Sequence, residues 1–340
     1  MHNSLTDIPG LLVGHWTDQD AATGCTVILT PSGAVAGVDV RGGAPGTRET
    51  ALLSPTCLVD RIHGLMLAGG SAYGLAAADG AMRWLEEQGY GFDVGVAKVP
   101  IVPAAILFDL ILGRADVRPD AAAGYAACAA ANDGPVAEGS VGAGTGASVG
   151  KILGVDQATK GGVGSVSHHF GNGLIVAALA VVNAWGDIFD PRTNQIIAGV
   201  RDENNKFAGT LNMAAAALDP TDPVVWSHPP GVASHSSTPP LTNTTLGVVA
   251  TNAKLTKAQA TKMAQMAHDG LARTIRPVHT SVDGDIVFAL GLGQHDAGDS
   301  VEMGLVGALA AELLSEAILR GVQNATALHG VPASRDLVSP

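Results

Sequence analysis

The sequence predicts a layered α+β domain in which helices and strands mix and much of the strand pairing is antiparallel. Three observations predict it. Short β-branched and apolar runs recur along the chain, among them TVIL and AVAGVDV before residue 41, LIVAALAVV from residue 174, and IVFAL at 286–290. Helical patterns fall between some of these runs, but without the regular alternation of a parallel sheet, and no internal repeat is evident. Hydrophobic residues make up 46% of the 340, enough for a sizeable core, while aromatics are only 4% and Gly reaches 44, so small side chains do much of the packing. The length suits one large domain or two ordinary ones, and we read residues 1–340 as one.

Residues 23–41 read as two strands around a Pro-Ser-Gly turn at 31–33. A glycine-rich loop, RGGAPGTRET, comes next at 41–50. From residue 66 the chain reads as loop into helix, LAGGSAYG running into AAADGAMRWLEEQ. Residues 174–190 read as a buried strand and a turn. Residues 202–243 are rich in Asp, Asn, Pro, Ser, Thr and His and read as an exposed linker. A strand is expected over Thr245–Thr251. Thr256 and Gln259 have capping-box spacing ahead of Met263, Met266, Ala267, Leu271 and Ile275 at helical intervals. SVDGD reads as a turn into IVFAL. The last helix, over about 303–321, is apolar except for a stripe of Glu312, Glu316 and Arg320.

Composition excludes several function classes. The formal net charge is −12, which repels phosphate backbones and argues against nucleic acid. Cys25, Cys57 and Cys128 are odd in number and widely spaced, so neither a zinc ribbon nor a disulfide framework is expected, and a reducing cytoplasm fits. MHNSLTDIPG lacks the features of a secretory signal, and the apolar stretch 174–185 is too short for a membrane span. His168 and His169 are adjacent on a strand and point to opposite faces, so no metal site is expected there, and no cofactor is expected elsewhere. GAGTGAS at 142–148 has dinucleotide-type spacing, but no clear strand precedes it and glycine breaks the stretch after it; it reads better as a tight backbone passage. GGSAYG is not a nucleophile elbow, because Tyr73 occupies the second glycine position.

Other residues point to chemistry. Asp283-Gly-Asp285 places two carboxylates two residues apart, on one side of an extended run, where they flank a cation such as an α-amino group; a plain hairpin turn is the alternative. Asn183 lies inside an apolar stretch, where an unpaired amide costs about 1–3 kcal/mol; it either satisfies backbone groups or aims its NH₂ at a developing oxyanion. Lys151 ends a glycine-rich loop. In PPLTNTTLGVV, 239–249, a loop-like run stops at Asn243 and a buried strand begins, which is either a plain junction or a place where the chain is cut.

Taken together, VRGGAPGTRET (40–50), LAGGSAYGL (67–75), VPIVPAAILFDL (99–110), GAGTGASVGK (142–151), VVNAWGD (181–187), NTTLGVVATNA (243–253) and HTSVDGDIVFAL (279–290) resemble the L-aminopeptidase/D-esterase family of self-cleaving hydrolases, which includes β-peptidyl aminopeptidases and 6-aminohexanoate-oligomer endohydrolases. The resemblance implies a four-layer αββα sandwich of the N-terminal-nucleophile type. It implies autocleavage between Asn243 and Thr244 into fragments 1–243 and 244–340, with Thr244 as nucleophile, Asn183 at the oxyanion, and Lys151, Asp283 and Asp285 near the nucleophile and the substrate amine. It places Gly69, Gly70, Ser71, Tyr73 and Phe108 in substrate binding, and Phe108 departs from the Tyr of some members. A homo-oligomer of processed protomers, dimer or tetramer, is implied as well.

The residues suggest how such a site would work. A freed threonine carries its own base, because an α-amino group titrates near 7.7–8.0. A nearby Lys151 cation lowers that value and the aspartates oppose it. Short peptides, amino-acid amides, β-peptides and aminohexanoate oligomers all suit such a site. Two other readings stay open: a self-cleaving acyltransferase, and a non-enzymatic protein that binds a small ligand.

Overall fold

A computed structural model describes residues 1–217, 243–295 and 302–337 of the chain. Nine strands make one hydrogen-bonded sheet: β1 Leu12–Asp18, β2 Thr23–Val40, β3 Thr47–Arg48, β4 Arg61–Ala68, β5 Ala104–Ile106, β6 Gly162–His169, β7 Ile175–Asn183, β8 Thr244–Ala253 and β9 Ile286–His295. Their order is β6-β7-β8-β9-β2-β4-β5-β3, with β1 on the other side of β2. Most neighbours are antiparallel; β8–β9 and β4–β5 are parallel.

The two strands expected over 23–41 are one strand of 18 residues. Pro31, Ser32 and Gly33 (φ +82°) form a bulge, not a turn, because pairing with β4 resumes beyond it, at Ala34 and Val35. The first half of β2 pairs with β1, and the second half, Val35–Val40, pairs with β9. β2 thereby carries the ladder from one layer of strands to the other.

The cores show the layers. Between them, Ile28, Leu65, Leu67 and Leu107 meet Leu179, Leu246, Val248 and Phe288. The alternate residues Val27, Leu29 and Met66 face helices α1, Ala77–Glu87, and α2, Ala121–Ala129. On the far side Val176, Val249 and Val287 face α4, Lys257–Thr274, and α5, Met303–Gln323; α3 is Thr210–Ala217. This is helix on strands on strands on helix, the αββα sandwich. Small residues permit the close crossings: a Cβ on Gly80 would lie 1.9 Å from Ala121 O, and one on Gly124 would lie 1.9 Å from Ala77 O.

The capping box at Thr256 and Gln259 starts α4 as expected. The polar stripe of α5 binds outward, Glu312 to Arg273, Glu316 to Arg192 and Arg320 to Glu138. Two readings need correction. The stretch from residue 66 does not begin as loop, since Met66–Ala68 completes β4. The linker reading of 202–243 overlooked α3, whose Leu-Asn-Met-Ala run favours helix. Thr210 at its start is buried and donates twice to Asp187. Asn243 is also buried; residues 218–242 of that reading lie outside the described residues. No helix among the described residues is long and apolar enough to cross a membrane.

Candidate active site

β8 runs between β7 and β9; its first residue pairs with β7, and its pairing with β9 begins at Leu246. The β7–β8 register sets Asn183, the last residue of β7, opposite Thr244, the first of β8. Both are buried. The Asn243 carbonyl accepts the Gly284 N–H at 2.9 Å and also the Thr244 hydroxyl. A hydroxyl and a backbone donor therefore converge on the carbonyl that precedes Thr244.

Asn183 serves backbone groups and Lys151 together. Its Oδ1 accepts from Ser148 N at 3.0 Å and from Lys151 Nζ at 2.8 Å, and its Nδ2 donates to Phe108 O at 3.1 Å. Lys151 Nζ also donates to Asn183 O at 3.0 Å. The GAGTGAS passage is thus tight backbone that delivers Ser148 and Lys151 to Asn183. Burial pushes the Lys151 ammonium down to about 7, and the nearby Asp283 charge opposes that.

The aspartates directly precede β9, where Asp283 bridges Asn243 in parallel, in the register that β8 and β9 continue, and each carboxylate is turned onto the chain. Asp283 accepts from Trp185 N at 3.2 Å and from Thr280 N at 3.2 Å and its hydroxyl. Asp285 accepts from Thr245 N at 2.7 Å, and from His279 N at 3.0 Å and Nδ1 at 2.9 Å. Burial, and next the charge of Asp285, raise the Asp283 carboxyl above its ordinary range. Asp285 therefore fixes the residue after Thr244, and neither carboxylate lines the cavity.

That cavity measures about 160 Å³ and is walled by Thr244, Asn243, Phe108, Ser71, Pro45 and Val282 among others. Of the five expected substrate contacts, Ser71 and Phe108 line it. Gly70 N instead donates to Asp109 Oδ1 at 2.7 Å, and Gly69 packs on the same carboxylate. Tyr73 is 61% exposed and lies under the Arg118 guanidinium. A larger cavity of about 430 Å³ lies near Arg61 and Lys257, where the Lys257 ammonium is bonded to the carbonyls of Leu52, Cys57 and Val59. None of the candidate site residues lines it. Among the described residues, no cluster of three or more His, Cys, Asp or Glu is placed to hold a metal.

Sequence reasoning missed Asp109, Lys160, His279 and Thr280. Asp109 and Lys160 gave no signal, one directly after Phe108 and the other inside a glycine-broken loop. His279 and Thr280 open the HTSVDGD motif, where the two carboxylates are the stronger signal.

Comparison with known proteins gives the family and the fold. Residues 3–335 match the model of peptidase family S58. A Mycobacterium tuberculosis protein named an uncharacterized aminopeptidase is 45% identical, with 98% of each chain covered. A 6-aminohexanoate-oligomer endohydrolase of a Kocuria species is 31% identical over 93% of this chain and 85% of its own. Among solved structures, a Burkholderia β-aminopeptidase superposes with a TM-score of 0.67 at 23% identity, covering 100% of this chain and 95% of the other. The L-aminopeptidase D-Ala-esterase/amidase of Ochrobactrum anthropi, titled a variant of the Ntn hydrolase fold, gives 0.68 at 18% identity, covering 95% and 86%. At those identities the two structures speak for the fold. The chain belongs to peptidase family S58.

Proposed function

We propose that the chain cuts itself between Asn243 and Thr244, and that the freed Thr244 then hydrolyses short amides or peptides that carry a free amino end. Membership of a peptidase family makes the protein a hydrolase of peptide or amide bonds. The observation that carries the finer reading is the Asn243 carbonyl, which meets both the Thr244 hydroxyl and the Gly284 N–H at the start of a rigid strand.

In the first reaction Thr244 Oγ1 attacks the Asn243 carbonyl carbon and loses its proton to Lys151, whose burial leaves much of it neutral near pH 7. The oxyanion forms where Gly284 N–H already points. The C–N bond to Thr244 breaks, its nitrogen takes the proton, and an Asn243 ester on Oγ1 results. Water hydrolyses the ester and leaves an Asn243 carboxylate and a free Thr244 amine and hydroxyl.

In the second reaction the Thr244 amine is the base. Oγ1 attacks a substrate amide, the departing amine takes the proton, and water resolves the acyl-enzyme. Asn183, opposite Thr244, is the side-chain donor assigned to this oxyanion. Departure of Asn243 enlarges the cavity, whose small size favours compact acyl groups such as amino-acid amides, β-amino acids and aminohexanoate units. The processed protomers form a dimer or tetramer in this reading.

Intact mass under denaturing conditions tests it. The expected result is conversion of the 34.2 kDa chain into two fragments that part between Asn243 and Thr244. Thr244→Ala should stay whole and inactive; a whole yet active Thr244→Ala sinks the proposal.

A further inference from the structure

Two glycine-rich passages frame the site. Gly69–Ser71 brings Ser71 to the cavity wall, and Gly142–Lys151 brings Ser148 and Lys151 to Asn183. Both rest on one buried pair of side chains. Asp109 is 2% exposed, and its Oδ1 accepts from Gly70 N at 2.7 Å while its Oδ2 accepts from Thr23 Oγ1 at 2.7 Å. A Cβ on Gly69 would lie 2.0 Å from Asp109 Oδ2, and one on Gly146 would lie 2.6 Å from Asp109 Cβ. Both passages therefore press on the same carboxylate.

Lys160 is fully buried, and its Nζ donates to Thr145 O at 2.7 Å and to Ala147 O at 2.6 Å, the carbonyls on either side of Gly146. Ser71 is held at φ +54° directly after Gly70 at φ +80°, a left-handed conformation that serine rarely adopts and that persists only when its surroundings impose it. Its N–H is tied to Leu107 O at 3.0 Å, two residues before Asp109.

We infer that Asp109 and Lys160 are positioning residues that fix the two glycine passages against each other, and so set both the pocket wall at Ser71 and the donors on Asn183. The inference rests on the reading of Thr244 as nucleophile. Neither side chain takes part in either proposed reaction. Buried charges are costly to keep, and apolar residues of similar volume often serve stability as well or better. Burial raises the Asp109 carboxyl to about 6 and lowers the Lys160 ammonium to about 7, and each charge opposes the shift of the other. Two buried charges at this place, not in contact with each other, are thus better explained by the backbone groups they orient than by the stability they add.

The test is the double variant Asp109→Asn/Lys160→Met, which removes both charges together and keeps an acceptor for Gly70 N–H. Circular dichroism and melting report the fold, intact mass reports cleavage, and an amino-acid p-nitroanilide reports turnover of the cleaved form. The expected result is a folded protein that cleaves at least about tenfold more slowly, with kcat lowered about tenfold or more and KM within about threefold, since misplacement near 1 Å can cost about a hundredfold in rate. A folded variant with wild-type cleavage and kcat overturns the inference. A variant that cannot fold assigns the pair to the core and overturns it too. A wild-type chain that never cleaves removes the nucleophile reading instead, which is a distinguishable failure.

Discussion

Gly284 lies where the two parts of the chain that react in the proposed cut meet, and replacing it with Ala probes that processing geometry with a single methyl group. Its N–H reaches Asn243 O at 2.9 Å. A Cβ there would lie 2.7 Å from Thr244 Oγ1 and 2.8 Å from Ala44 O. Gly284 does not have a positive φ, so the backbone accepts Ala and the perturbation is steric. Ala44 yields little, because its own N–H is bonded to Asp283 O at 2.8 Å. Relief falls mainly on the Thr244 hydroxyl, which must retreat by roughly 0.7 Å to reach ordinary contact, from 2.7 Å to 3.4 Å. Overpacking of this kind costs about 1–3 kcal/mol of stability. Full loss of one oxyanion donor costs about 2.7–4 kcal/mol of barrier, or about 10²–10³ in rate.

A displaced nucleophile with a partly displaced donor should therefore cleave about 10- to 1000-fold more slowly. The assay tracks the ratio of whole chain to fragments by intact mass from the moment of purification, with a melting curve to show that the variant is folded. A folded Gly284→Ala that cleaves at the wild-type rate would refute the assignment of this carbonyl and this N–H to the processing step.

Asn183→Ala removes the acceptor of Ser148 N–H and one acceptor of Lys151, so it should lower stability by about 1–3 kcal/mol per group left unpaired and slow turnover about 10²–10³-fold; a chemical melt and steady-state kinetics read the two effects separately. Phe108→Tyr puts a hydroxyl into the cavity wall and should change kcat/KM for small amides by about 2- to 10-fold, the worth of one hydrogen bond; unchanged kinetics would show that the ring edge faces away from bound substrate. Stability should rise from pH 7 to pH 9. Lys151 and Lys160 titrate near 7 when folded and near 10.5 when unfolded, so across that window the unfolded chain holds more protons and raising the pH favours the fold, by at most about 1.4 kcal/mol per pH unit for each lysine. Above pH 9 the buried thiols of Cys25 and Cys128, both raised, oppose the trend. Melting of uncut Thr244→Ala across this range checks it, and a flat or falling profile contradicts the buried-lysine reading.

Locality decides which features are legible in the sequence. The strand opening at Thr244, the α4 capping box and the α5 stripe are written in adjacent or helically spaced residues, and all are present. The layered class was legible from short apolar runs, yet the continuity of β2 was not, because a bulge and a turn use the same Pro-Ser-Gly chemistry and only the pairing of β4 distinguishes them. Thr244, Asn183 and Lys151 were legible as a set through resemblance, and the register of β7 and β8 brings them together. Asp283 and Asp285 were legible as residues but not by their partners, since the N–H groups of Trp185, Thr245 and His279 that they accept are not marked in the motif's spacing. Asp109 and Lys160 were invisible, since Asp109 is marked by burial against glycines distant in sequence and Lys160 by buried bonds to the Thr145 and Ala147 carbonyls.

One hydroxyl is asked to perform two acyl transfers in this reading, and the site must change between them. The surroundings of Thr244 change little, for its strand is fixed on both sides and Asp285 holds the next residue by its N–H. The base is the part that changes. Before the cut the Thr244 nitrogen is an amide and can accept no proton, so the first step needs a separate group, and Lys151 is buried, close to Asn183 and lowered to about 7. After the cut the new amine, near 7.7–8.0 in the absence of neighbours, is attached to the nucleophile itself. The amine, the higher of the two, takes a proton first, so Lys151 stays largely neutral beside it, its Nζ still bonded to Asn183 O and Oδ1 and holding the side chain that this reading assigns to the second oxyanion. The glycine passage that carries Lys151 is thus kept for a second purpose once its first is complete, and the self-cutting chain and the working hydrolase can share one set of walls.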